Sequence, residues 1–299
     1  MYFPYLRGKQ FELIALRELM EAKVLGDKII PVIEPVKPSL AFTRMMDIFI
    51  EKKHQFALVL NPSVSDFSIL EDETYVKYLS SEYMIHAYLT KPGLADLKTD
   101  NETNLMIINT ERDCLDEYLD FQEHNHPDYV LLPDDRTFSR KVLSDSRILF
   151  EDRFVKAGKN ADYGNKVDEF FSEDHIYYNR EGFYGFSDYS VIGSDYQESG
   201  FAPAAIAIHI VYFDKERALR IRHFVSDSTK GFQDPAGKFG EALEKLVKWV
   251  KDNDIPHTKG LESFIDCYNR KRYPGLGTIK KYSIMHHLEL MNRFLEGEI

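Results

Sequence analysis

The sequence is poor in cysteine, in positive charge and in long apolar runs, and each shortage removes a class of protein. Its two cysteines, Cys114 and Cys267, stand far apart in 299 residues and in no metal-ligand spacing. Two separate thiols fit a reducing cytoplasm and exclude a disulfide framework or a zinc ribbon. No stretch approaches the roughly 18 apolar residues read as a membrane-spanning helix. The opening Met1-Tyr-Phe-Pro-Tyr lacks the basic start and apolar run of a signal peptide. No G-x-G-x-x-G follows a predicted strand, and there is no G-x-x-x-x-G-K-[ST], H-E-x-x-H, C-x-x-C or G-x-S-x-G. The common nucleotide, zinc-protease, redox and serine-hydrolase signatures are therefore missing.

Lys and Arg number 38 against 49 Asp and Glu, a net charge of −11. Such a surface repels nucleic-acid phosphates over most of its area, so binding to nucleic acid by the chain alone is not expected. The acidity is uneven. From Ala236 onward there are 11 Lys/Arg against 9 Asp/Glu, leaving 27 against 40 upstream.

What the chain does have is apolar content, 43 %, with 13 % aromatic residues, enough for a large core. The apolar residues fall into a repeating order. Strands are predicted at Tyr2–Leu6, Lys28–Ile33, Phe56–Leu60, Tyr83–Leu89, Asn104–Asn109, Tyr129–Leu132 and Arg147–Phe150. Helical spacing falls between them at Lys9–Lys23, Leu40–Lys53, Leu70–Ser80, Pro92–Thr99, Glu111–Glu123 and Arg136–Leu143. The strands are apolar throughout rather than alternating, which marks a parallel sheet buried on both faces. An eighth strand, Tyr189–Gly193 or Ala204–Phe213, completes an α/β fold of the (βα)8 TIM-barrel type. Ile206–Phe213 and Leu219–Val225 read as a late antiparallel hairpin that extends or replaces the last step. Asp234-Pro235 opens the first of three C-terminal helices; the others are Pro256–Arg272 and Thr278–Leu295, the last with Ile284, Leu288, Met291 and Leu295 on one face. The whole reads as one domain, 1–299, with a helical part, 236–299, packed on it. A doubly wound open sheet is the competing architecture and lacks its glycine fingerprint.

In a barrel the working residues sit at the C-terminal ends of the strands. Those positions bring forward Glu34, Asp152, Asp195 and His209 as candidate acids, bases or catalytic groups. Arg7, Lys37, Asn109, Arg153, Tyr196 and Arg222 are the candidate ligand-binding groups. Glu34 ends an apolar strand directly before Pro35, and Asn109 ends strand five in the same way. Glu151-Asp152-Arg153 puts three charges at one strand end, where Arg153 can pair with a carboxylate while the other faces the mouth. Ser187-Asp188-Tyr189 recurs as Ser194-Asp195-Tyr196, a pattern that serves loop shaping as well as ligand binding. His209 lies between small residues, with room for a base, although a satisfied buried histidine is the commoner case. Arg220 and Arg222 share a strand face suited to phosphate or carboxylate. His124-Asn-His126 precedes strand six, at the opposite end of a barrel, and His286-His287 point in different directions on a helix. No metal site is assigned and no cofactor is named.

These strings carry a resemblance. The opening YFPYLRGKQFELIALREL with IIPVIEPVK, then GFSDYSVIGSDYQESGFAPAAIAIHIVYF, LRIRHFVSD and GKFGEAL, resemble the beta-protein family of phages and bacteria, over most of the chain to about Leu246. The resemblance implies a partner-dependent role beside nuclease-like proteins in defence-type gene neighbourhoods. It carries over no catalytic residue.

Three readings follow. The first is a cytoplasmic barrel acting with a nuclease-like protein partner in phage defence or a related conflict system. The second is a barrel-mouth enzyme, a phosphoester hydrolase acting on a phosphorylated small molecule or nucleotide with or without Mg²⁺. The third is nucleic-acid binding through Arg270-Lys-Arg272 and Lys280-Lys281 around Tyr273.

Overall fold

In the computed structural model, which describes residues 1–97, 104–197 and 203–299, short parallel strands alternate with helices from the N-terminus. They run β1 (Tyr5–Leu6), α1 (Gln10–Glu21), β2 (Val32–Ile33), α2 (Leu40–Glu51), β3 (Phe56–Val59) and α3 (Glu73–Val76). Next come β4 (Met84–Leu89), β5 (Leu105–Ile108), α4 (Leu115–Gln122), β6 (Tyr129–Leu132), α5 (Arg136–Lys141) and β7 (Arg147–Phe150). After β7 follow β8 (Asp168–Ser172), α6 (Asp174–Tyr177), β9 (Gly185–Ser187), β10 (Ala207–Phe213) and β11 (Leu219–Val225). The chain ends with α7 (Pro235–Asp252), α8 (Lys259–Asn269) and α9 (Leu276–Glu296).

The first seven strands and β9 form a nearly closed eight-stranded parallel barrel in that order. A parallel bridge from Tyr2 to Phe186 brings the two edges together, and one from Tyr2 to Ile29 extends the pairing of β1 with β2. The Phe3 N–H donates to Phe186 O at 2.8 Å and the Tyr5 N–H to Asp188 O at 2.8 Å. Two cores explain why the strands are apolar on both faces. Inside the barrel lie Phe3, Tyr5, Val32, Ala57, Ile85, Met106 and their neighbours. Outside, the alternate residues meet the helices: Leu58 and Ile107, for instance, share a cluster with Leu16 and Phe121. Burying both faces in this way is the main source of stability for such a sheet.

The eighth strand differs from both expected positions. It is Gly185–Ser187, in the string Gly-Phe-Tyr-Gly-Phe-Ser, which reads as turn rather than strand. Glycine is required there by close approach: a Cβ at Gly185 would sit 2.8 Å from both Met1 O and Phe3 Cε2. Ala204–Phe213 contributes β10 to a separate antiparallel sheet, order β10-β11-β8, with His209 opposite His223. The antiparallel hairpin itself is as expected, but it neither extends nor replaces the last barrel step, and β8 was hidden because it opens on Asp168 and Glu169 and leaves Phe170 exposed.

The helices follow their local signals. Asp234 caps α7 by accepting the Gly237 N–H at 2.8 Å, with Pro235 in the first turn. The expected helix at Leu70–Ser80 shrinks to α3, and that at Pro92–Thr99 to a single 3-10 turn at Leu94–Asp96, its last two residues lying outside the described ones. Helix α9 departs from its expected single stripe. It is buried on all sides from Lys281 to Asn292 because it packs against α1, α8 and β10. It also reaches the N-terminal half: Lys281 pairs with Glu18 at 2.7 Å and Asn292 Oδ1 accepts the Gly26 N–H at 2.8 Å.

Candidate functional site: the barrel mouth and the antiparallel sheet

Glu34 continues the inward phase of Val32 one step past β2 and is fully buried. Its Oε2 accepts the Tyr5 hydroxyl at 2.7 Å and forms an ion pair with Arg7. Its Oε1 accepts the Ser63 N–H at 2.6 Å, the Ser63 hydroxyl at 2.7 Å and the Val64 N–H at 3.3 Å. Burial alone would raise this carboxyl, but Arg7, Ser63 and Tyr5 together hold it below the usual carboxylate range. Gly8 makes the approach possible. Its φ is +61°, and a Cβ there would lie 2.8 Å from Glu34 O. The Arg7 guanidinium also lies 5.3 Å from the Tyr5 ring centre and 5.2 Å from that of Tyr189.

Asp152 stands at the exposed rim. Its Oδ2 accepts the Ser194 N–H at 2.7 Å and its Oδ1 the Phe154 N–H at 3.1 Å. Arg7 donates its second nitrogen to Ser194 O at 2.9 Å. Ser194 is therefore held at both its N–H and its C=O, which fastens the loop after β9 to the mouth. Arg7, Glu34 and Asp152 do meet here: Glu34 is engaged by Arg7, Tyr5 and Ser63, and Arg7 and Asp152 both hold Ser194, while Arg7 Nε is buried without a partner among the described residues.

The remaining candidates lie elsewhere. Asp195 is exposed and pairs with Lys156 at 3.3 Å. Tyr196 lies under the Lys9 ammonium at 4.7 Å and, with exposed Lys37 and with Lys280, lines an open cavity of about 460 Å³ beside the mouth. Arg153 finds no partner in its own triplet. It makes a two-pronged contact with Asp174, 2.7 Å for each hydrogen bond, while Glu151 accepts the Asp134 N–H at 2.8 Å. Asn109 is fully buried, yet it follows the phase of Leu105 and Ile107, which belong to the outer core, rather than the inward phase of Glu34. Neither its Oδ1 nor its Nδ2 has a partner among the described residues.

His209 belongs to the antiparallel sheet. Its Nδ1 lies 2.7 Å from His223 Nδ1, and His223 Nε2 lies 3.3 Å from Glu169. Burial, then the neighbouring His223, pushes His209 well below the usual imidazole range. It faces a cavity of only about 110 Å³. Arg220 and Arg222 share one face as expected, but that face holds Asp168: Arg220 Nε at 2.7 Å and Arg222 Nη1 at 3.2 Å.

Sequence reasoning missed the buried polar network behind β9. Asp188 Oδ1 accepts the Tyr2 hydroxyl and the Ser190 N–H, both at 2.7 Å, and burial raises its carboxyl to about 7. Ser190 Oγ meets His287 Nδ1 at 2.9 Å, and His286 bridges Thr258 Oγ1 at 2.8 Å and Val211 O at 2.7 Å. The two histidines do point apart, as helix geometry requires, but both point into protein. The basic C-terminal patch is largely paired. Arg270 and Arg272 contact Asp266 at 2.7 and 3.5 Å, and Lys281 contacts Glu18.

Among the described residues no group of three or more His, Cys, Asp or Glu is placed to hold a metal ion. Among them also, no helix is long and apolar enough to cross a membrane. The geometry defines a class: an α/β barrel with an ion pair between adjacent strand ends at its mouth, an added antiparallel sheet and C-terminal helices. No protein-family model, curated protein or solved structure matches the chain.

Proposed function

We propose that the chain is a cytoplasmic, partner-dependent barrel, a component of a phage-defence or related conflict system that acts together with a nuclease-like protein. The observation that carries this reading is the state of the mouth. Where a catalytic barrel gathers free polar groups, Glu34 is saturated by Arg7, Tyr5 and Ser63, and Asp152 holds Ser194. The resemblance of the opening and late strings to the beta-protein family supports the setting and the nuclease-like partner. The connection from β7 to β9 adds surface for contact: Val155, Phe170, Tyr177 and Tyr184 are all large, apolar and exposed there.

The test is co-expression with the nuclease-like protein of the native locus and affinity capture of this chain. A stoichiometric complex is expected, and Phe170→Asp, at a side chain already 54 % exposed, should weaken capture while the chain still folds. Capture of neither that protein nor any other product of the locus would remove the reading.

A second reading, a hydrolase of phosphorylated small molecules or nucleotides, is favoured by Lys9, Lys37 and Lys280 lining one cavity beside the mouth. It requires Lys37→Ala to abolish phosphoester turnover by the purified chain.

A further inference from the structure

A different place in the molecule has the makings of a ligand site. β8 pairs with β11 as far as Arg222 opposite Asp168, and the His223 N–H donates to Val167 O at 2.8 Å. From Phe224 onward no strand covers that edge of β11 among the described residues. A cleft of about 600 Å³ opens there against the flank of α7, within the range of small-molecule sites. Lys245, Lys248 and Trp249 face it together because residues three and four apart share a helix side.

The groups in the cleft differ in how far they are engaged. The Arg222 guanidinium lies 5.6 Å from the Trp249 ring centre and 5.9 Å from that of Phe224, and it gives Asp168 only Nη1. Its Nε is buried without a partner among the described residues. Lys245 is committed to Val225 O and Asp227, each at 2.7 Å. Lys248 is exposed and has no ionic or hydrogen-bonding partner among the described residues. Of the two carboxylates in the lining, Asp227 is matched by Lys245, and Asp252 stands near the end of α7. One wall is thus aromatic and apolar, and beside it sit a partly committed guanidinium and a free ammonium, in a chain whose net charge is −11.

We propose that this cleft binds a nucleoside phosphate, with the base against Trp249, Phe224 and Val167 and the phosphate at Lys248 and Arg222. A bare anion would leave the apolar wall wet, and a neutral aromatic would leave the cations unused. The site is independent of the barrel mouth and of any protein partner, so it stands or falls separately from the proposed function.

Trp249 is the only tryptophan in the chain, so intrinsic tryptophan fluorescence reports on this cleft alone. The full chain is titrated with ATP, GTP, CTP, UTP and, separately, inorganic phosphate, with calorimetry in parallel. At least one nucleotide should give a saturable change, and inorganic phosphate should bind about tenfold more weakly or worse. Lys248→Glu, at an exposed position, should lose about tenfold in affinity, and Trp249→Phe should retain calorimetric binding without the optical signal. No saturable change at millimolar nucleotide overturns the proposal. So does unchanged affinity in Lys248→Glu, or phosphate binding as tightly as nucleotide.

Discussion

Arg7 and Glu34 form an ion pair between adjacent strand ends at the barrel mouth, with no exposure of the Glu34 side chain and 15 % exposure of the Arg7 side chain. The pair joins β1 to β2 and, through the second Arg7 nitrogen, to Ser194 in the loop after β9. Removing one partner leaves the other charge without compensation. Glu34→Gln is expected to cost about 2–4 kcal/mol in urea unfolding, less than a fully buried pair because Arg7 keeps some contact with water. Because Glu34 is held below its ordinary range, its contribution is present at neutral pH and is lost as pH falls through the folded value. A loss below about 0.5 kcal/mol would place the pair with ordinary surface ion pairs.

Asn109 calls for the opposite outcome. Its amide is buried with neither polar atom partnered among the described residues. Asn109→Leu keeps the approximate shape and removes two unsatisfied groups, so the variant should be more stable by about 1–2 kcal/mol. Equal or lower stability in denaturant titration would mean that the amide is satisfied in solution.

Asp188 makes folding pH-dependent in a direction unusual for a carboxylate. Its ordinary value is 3.8 and the buried side chain is raised to about 7. Between those values the folded chain keeps a proton that the unfolded chain has released. Stability from this group therefore falls as pH rises through the window, and stays reduced above it. Asp188→Asn, which retains an acceptor for Tyr2 and Ser190, should stabilise by about 4 kcal/mol at pH near 8 and by almost nothing near pH 4. Thermal melts of both proteins across that range decide it.

His287 works in the reverse sense. Burial, then the charges of His286 and His175, lowers it to about 3 from an ordinary 6.5. Below pH 6.5 the unfolded chain takes up a proton that the folded chain refuses, so stability falls with acidification. His287→Asn should flatten the slope of unfolding free energy against pH by about 1.4 kcal/mol per pH unit between the two values. An unchanged slope would show that this imidazole titrates in the folded state.

How far the sequence reveals this molecule depends on the length and amphipathic regularity of each piece. Strands such as Tyr129–Leu132 and Arg147–Phe150 are legible to the residue because an unbroken apolar run between turn signals has few other uses. Gly185–Ser187 is not, since its place in the barrel comes from backbone contact with Met1 and Phe3, far away in sequence. The same holds for β8, whose charged start is paid for by Arg220 and Arg222 fifty residues later. At the mouth, Arg7, Glu34 and Asp152 are legible as strand-end residues, but their mutual engagement is not. It depends on Ser63, a loop serine without any pattern to mark it, and on the backbone of Ser194, which the Ser-Asp-Tyr repeat marks only as a turn. The repeat Ser-Asp-Tyr shows the limit most clearly. Asp188 is buried and Asp195 exposed, although their neighbours in sequence are the same.

The most direct measurement of partner dependence is native mass spectrometry of the chain purified with the products of its own locus. The expected result is a complex of fixed stoichiometry with a nuclease-like protein, persisting in Asn109→Leu and diminished in Phe170→Asp. A lone chain at every protein ratio, with no second polypeptide bound, would contradict it.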